Sequence, residues 1–86
     1  MAYQVIVSMA ANRAVARLDK TMRRRITERL AALAENPRPM GCIKLAGMEA
    51  YRIRMGDYRI VYEIQDKVLL VTFIDVGHRR EVYRRQ

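Results

Sequence analysis

The 86-residue chain reads as an α+β fold: an N-terminal strand, a helix hairpin and then a three-stranded antiparallel meander, with the helices packed on one face of the sheet in two layers. Three observations predict it. Apolar residues recur at helical spacing between Ala11 and Leu33. The run Asn36-Pro37-Arg38-Pro39 ends that pattern. From Ala50 to Val76 the pattern changes to strict alternation broken by turn residues, which is the signature of paired strands.

The elements follow in order. Tyr3 to Met9 is a strand, with Val5 and Val7 on one side and Ile6 on the other, and its β-branched residues favour extended backbone. Ala11, Ala14, Val15 and Leu18 fall on one face of a short amphipathic helix from Ala11 to Leu18. Asp19 is placed to cap a second helix from about Lys20 to Glu35, where Met22, Ile26, Leu30 and Leu33 form the apolar stripe and Arg23, Arg24, Arg25 and Arg29 face largely outward. Proline lacks an amide donor and pushes the residue before it toward extended backbone, so the helix stops at Asn36-Pro37 and a loop through Gly41 and Gly47 follows. The meander comprises strands at about Ala50 to Met55, Tyr58 to Ile64 and Val68 to Val76, joined at Met55-Gly56-Asp57-Tyr58 and Gln65-Asp66-Lys67. A chain of this length supports one hydrophobic core, and residues 1–86 read as a single domain.

Charge narrows the function. The 17 Lys/Arg against 9 Asp/Glu give a formal net charge of +8, and the excess is spread over both halves of the chain, with no detachable basic arm. A domain this basic attracts polyanions or an acidic protein through long-range, salt-sensitive forces, and nucleic acid is the first candidate. At 51% hydrophobic residues the chain is a folding sequence and not a disordered basic tail. The single cysteine, Cys42, cannot close an intramolecular disulfide, and no Cys/His cluster has zinc-ligand spacing, so neither metal nor cofactor is expected. The N-terminal apolar run is too short for a signal-peptide core and no stretch is long enough to span a bilayer, so a cytoplasmic location without membrane association is expected.

Candidate chemistry lies in the meander and beyond it. Alternation places Tyr51, Ile53 and Met55 on one face and Arg52 and Arg54 on the other. In the next strand Tyr58, Ile60, Tyr62 and Ile64 share a face while Arg59, Val61 and Glu63 share the opposite one, so a suitable register sets Arg59 beside the first pair. After the last strand, Gly77-His78-Arg79-Arg80-Glu81-Val82-Tyr83-Arg84-Arg85 gathers an imidazole, several guanidiniums and a phenol. Each feature has an ordinary structural use: alternating arginines as the solvated face of a half-covered sheet, His78 as a turn residue, Tyr83 as a packing residue. The concentration of Arg52, Arg54, Arg59, Arg79 and Tyr83 goes further, because it supplies forked phosphate donors and an aromatic able to stack on a base. Arg80, Arg84 and Arg85 are additional candidates for RNA contacts.

Three segments, Leu45-Ala46-Gly47, then Tyr51-Arg52-Ile53-Arg54-Met55-Gly56-Asp57-Tyr58-Arg59-Ile60-Val61-Tyr62, then Val76-Gly77-His78-Arg79-Arg80-Glu81-Val82-Tyr83, together resemble the RelE/ParE superfamily of type II toxin-antitoxin toxins, RelE-like branch. The resemblance covers essentially the whole chain. It implies a RelE-like two-layer fold and a toxin that acts as a ribosome-dependent endoribonuclease, an mRNA interferase, cutting messenger RNA in the ribosomal A site. It also implies a cognate antitoxin, acidic, partly disordered when free, and laying an amphipathic helix on this domain. By position Arg52 and Arg54 match the basic pair of the family's first meander strand, Arg59 its phosphate-binding arginine, Arg79 the arginine after the glycine turn, and Tyr83 the C-terminal tyrosine.

The implied reaction is metal-independent attack of a ribose 2′-hydroxyl on the adjacent phosphate, which needs a base for that hydroxyl, cations for the phosphorane and an acid for the 5′-oxygen. Arg59 and Arg79 suit the charge. In the best-known pattern lysines stand where this chain has Arg52 and Arg54, and arginine gives up a proton far less readily, which leaves the general base open. His78 is a candidate for that proton transfer and Tyr83 for stacking on the substrate base or orienting it. Two other readings stand beside this one. ParE-like members share the fold and inhibit DNA gyrase, generally without the full basic-plus-tyrosine set; a non-catalytic RNA-binding module would bind with steep salt dependence and never cut.

Overall fold

The computed structural model describes residues 2–47 and 49–78. Strands β1 (Gln4–Val7), β2 (Ile43–Lys44), β3 (Ala50–Met55), β4 (Tyr58–Gln65) and β5 (Leu70–His78) form one sheet in the order β1-β5-β4-β3-β2, with helices α1 (Met9–Ala16) and α2 (Lys20–Glu35) between β1 and β2 in the chain. β1 runs parallel to β5 and every other pair is antiparallel. The core lies between sheet and helices. Tyr51, Ile53, Ile60, Tyr62, Ile64, Val71, Phe73 and Val76 come from the sheet, and Ala11, Ile26 and Leu33 from the helices. Alternation along each strand therefore sends one set of side chains into this core and the other to the opposite face.

Local chemistry sets most boundaries. Asp19 caps α2 by accepting the Met22 amide at 3.0 Å, and the helix ends before Pro37 as expected. Ser8 caps α1, accepting the Ala11 amide at 3.0 Å while its hydroxyl donates to the Ile74 carbonyl at 2.6 Å, so one side chain starts the helix and ties it to β5. Because of that cap β1 is shorter than the expected Tyr3–Met9 span, and α1 begins two residues before Ala11. The β3–β4 turn has Gly56 at φ 60°, the positive value that the first central position of a two-residue II′ hairpin requires.

Three features depart from the sequence expectation. A two-residue strand, β2, occupies the loop after α2 and pairs Ile43 with Arg52 and Lys44 with Tyr51, so the sheet has five strands. β5 starts at Leu70 instead of Val68, because Asp66–Val68 curl into a single 3₁₀ turn and Leu69 takes the left-handed conformation at φ 51°. β5 also runs on to His78, and it carries a bulge: Val61 faces Asp75 while Tyr62 faces Phe73, which leaves Ile74 as the extra residue.

Candidate nucleic-acid interface

The register settles where the arginines stand. Arg54 lies directly opposite Arg59, and Arg52 opposite Val61, on the sheet face turned away from the helices. Arg54 is exposed, Arg52 is half-buried, and Arg59 is only 2% exposed. Arg59 in turn faces Gly77 on β5, with the buried Asp75 one position diagonal on the same face. A guanidinium sunk into the sheet surface at this depth has its orientation set by packing, whereas Arg54 keeps the freedom of a solvated side chain.

These side chains meet in a cleft of about 320 Å³ lined by Arg29, Met40, Gly41, Ile43, Arg52, Ile53, Arg54 and Arg59. Its position follows from the shortness of β2, whose pairing covers β3 only at Tyr51 and Arg52, so the cleft forms where the sheet edge is uncovered. The α2–β2 loop supplies the lip, and its path is fixed by hydrogen bonds. Tyr62 donates from its hydroxyl to the Pro37 carbonyl at 2.7 Å, and burial pushes the phenol's pKa well above its usual value. Arg38 makes a forked pair with Asp66 at 3.0 and 2.8 Å, donates to the Tyr51 hydroxyl at 3.3 Å and lies 5.2 Å above the Tyr51 ring. Tyr3 donates to the same Asp66 at 2.8 Å, and these bonds, that of Arg38 first, hold the Asp66 carboxyl below the usual carboxylate range.

Among the described residues no acidic side chain lines this cleft, and four arginines do. Anions of the phosphate type are the complementary ligand: guanidiniums donate paired, planar hydrogen bonds that match two phosphate oxygens. Met40, Ile43 and Ile53 add apolar surface beside the charges, the mixture a nucleotide presents. No group of three His, Cys, Asp or Glu side chains placed to hold a metal ion occurs among the described residues.

The structure thus brings Arg52, Arg54 and Arg59 together, but not His78. That imidazole stands opposite Tyr58 and packs edge-on to its ring, with centroids 5.9 Å apart and planes at 74°. It lines a small pocket with Ala14, Arg17, Leu18 and Val76 on the helix side of the sheet, so the sheet separates it from the face that carries Arg54 and Arg59. Arg79, Arg80, Tyr83, Arg84 and Arg85 lie outside the described residues. Arg29, expected to face outward, is half-buried in the cleft wall. Its signal in the sequence is helical phase, since it adjoins Leu30 and sits three residues after Ile26, at the flank of the apolar stripe.

Comparison with known proteins agrees over nearly the whole length. A family model described as the ParE toxin of the type II toxin-antitoxin system parDE matches residues 5–83. The mRNA interferase toxin RelE of Escherichia coli is 34% identical over 88 residues, covering 96% of this chain and 92% of the relative. Among solved structures, the toxin in the intact E. coli RelBE toxin-antitoxin complex superposes with a TM-score of 0.77 at 31% identity, covering 90% of this chain and 96% of that one. The archaeal RelE-RelB complex from Pyrococcus horikoshii gives a TM-score of 0.81 at 30% identity, covering 92% and 97%.

Proposed function

Because this chain belongs to the RelE/ParE family of type II toxin-antitoxin toxins, we propose that it is an mRNA interferase of the RelE kind, a cytoplasmic endoribonuclease that cuts messenger RNA on the ribosome. The observation that carries this reading is the cleft: Arg52, Arg54 and Arg59 converge on one sheet face and line it together with Arg29.

In the cut, the ribose 2′-oxygen bonds to the adjacent phosphorus and the bond from phosphorus to the 5′-oxygen breaks, leaving a 2′,3′-cyclic phosphate and a 5′-hydroxyl. The 2′-hydroxyl loses a proton and the 5′-oxygen gains one. Charge grows on the non-bridging oxygens as the phosphorane forms, and preorganised cations stabilise it most where they need not move. Arg59, locked by burial, is suited to that task, and Arg54 and Arg52 to gripping the flanking phosphate oxygens. Arg79 and Tyr83 complete the set in the roles that family position assigns, charge stabilisation and base stacking, and Arg80, Arg84 and Arg85 extend the contact to RNA. His78 is left out of the proton transfer, because a hydroxyl held among these arginines lies across the sheet from the imidazole.

The partners follow from the same reading. The ribosome aligns the RNA backbone, so naked RNA is a poor substrate. The E. coli and Pyrococcus relatives were solved with RelB, and an acidic antitoxin of that kind is the expected inhibitor of a domain of charge +8. Among the described residues no helix is long and apolar enough to cross a membrane.

The test adds purified protein to ribosomes programmed with a defined messenger RNA and maps new 5′ ends, with an Arg54→Ala/Arg79→Ala variant alongside. Cuts within the A-site codon that vanish in the variant support the reading. Intact RNA overturns it, and inhibition of gyrase supercoiling, suggested by the ParE name of the family model, is then the activity to assay.

A further inference from the structure

Arg29 lines two clefts at once. One is the sheet cleft of about 320 Å³, and the other, about 300 Å³, is lined by Arg25, Glu28, Arg29, Ala32 and Met55 along the flank of α2. The two hollows therefore share one residue, Arg29. Arg25 lies one turn before Arg29, so two like charges are stacked on this flank, an arrangement that repels unless an anion joins them. Glu28 is the acid of the second cleft, and its side chain is 72% exposed, 3.9 Å from that of Arg24. Each hollow also offers apolar surface, Met40 and Ile43 in the first and Met55 in the second. Two hollows that share Arg29, each part apolar and part cationic, have the chemistry to seat two successive nucleotides of a single strand.

We propose that Arg29 holds the phosphate linking two successive nucleotides of the RNA, one seated in the sheet cleft and the next against Met55 and α2. The inference rests on the RNA-cleaving reading and extends its substrate track from the sheet onto the helix layer. Arg29 is a positioning residue, acting one nucleotide away from the bond that breaks and aligning the strand on Arg54 and Arg59.

The test pairs two measurements on the intact protein: cleavage on programmed ribosomes against toxin concentration, and binding of a cleavage-resistant 2′-O-methyl oligoribonucleotide at several salt concentrations. Variants are Arg29→Ala, Arg29→Lys and, as a control lining neither cleft, Arg24→Ala, whose side chain is 83% exposed. Arg29→Ala is expected to raise the concentration for half-maximal cleavage about tenfold and to reduce the slope of log affinity against log salt by about 0.7, the loss of one phosphate contact to single-stranded RNA. Arg29→Lys is expected to recover most of the slope, and Arg24→Ala to match wild type in both. Shortening the oligonucleotide by one residue at the α2 end is expected to erase the difference between wild type and Arg29→Ala. The inference is overturned if Arg29→Ala behaves as Arg24→Ala does. It is also overturned if ribosomal cleavage falls while the oligonucleotide slope is unchanged, which places Arg29 against ribosomal RNA. Failure of wild type to cut overturns only the cleavage reading, and the oligonucleotide slopes then decide the Arg29 proposal on their own.

Discussion

Arg54 and Arg59 face each other across two strands, yet their burial gives them different work. Arg54 is exposed and Arg59 is 2% exposed. Arg54→Ala is expected to leave unfolding free energy within about 0.5 kcal/mol of wild type, as surface changes do, while slowing cleavage about a hundredfold through loss of a guanidinium that grips a flanking phosphate and so aligns the strand. Arg59→Ala removes a packed stem as well as a charge, and is expected to cost about 3 kcal/mol in urea denaturation, in the range of large core truncations, besides its effect on cleavage. A stable Arg54→Ala protein that cut at the wild-type rate would remove Arg54 from the mechanism. Asp66 gives a second residue-scale prediction. Its folded pKa lies below the unfolded value because Arg38 and Tyr3 donate to the carboxylate, so its contribution is present above the unfolded pKa, about 4, and is lost as pH falls through the lower folded value. Thermal melts should therefore lose stability below about pH 4, and Asp66→Asn should flatten that acid limb while lowering Tm at neutral pH.

At the scale of elements, the β3–β4 hairpin sets the arginine pair. Its turn needs Gly56 at φ 60°, and Gly56→Ala is expected to cost about 1–2 kcal/mol, the penalty of forcing a Cβ into left-handed space. Circular dichroism melts of the purified variant would measure it, and an unchanged Tm would show that the turn accepts another geometry. This hairpin was legible in the sequence because alternation, a Gly-Asp turn and β-branched residues all agree, as were the limits of α2, where Asp19 and Pro37 mark both ends. β2 was not legible, since two residues carry no period and its pairing depends on β3 being already in place. Nor was the start of β5: Val68 favours a strand by composition, and a leucine at φ 51° leaves no compositional trace. Within the site, face assignment was readable for Arg52, Arg54 and Arg59. The depth of Arg59, the position of His78 across the sheet and the reach of Arg29 into the cleft depend on register, strand length and helix placement, which are long-range outcomes.

For the molecule as a whole, the question is whether RNA is attracted by diffuse charge or held at a site. A net charge of +8 draws any polyanion, so weak salt-dependent binding alone says little about mechanism. The arrangement of the charges discriminates. Arg52 and Arg54 line the cleft, whereas Arg13 and Arg24 are exposed on the helices and line none of the clefts described above. Arg52→Gln/Arg54→Gln and Arg13→Gln/Arg24→Gln therefore remove the same two charges from different places. If field alone governs, both pairs lower RNA affinity alike, and equally at every salt concentration. If the cleft grips phosphates, the first pair should lower the slope of log affinity against log salt by about 1.4, two contacts to single-stranded RNA, while the second should change it little and act mainly on the association rate. Equal slopes for the two pairs would leave a basic surface without a phosphate site, and would remove the geometric basis for placing the cut among Arg52, Arg54 and Arg59.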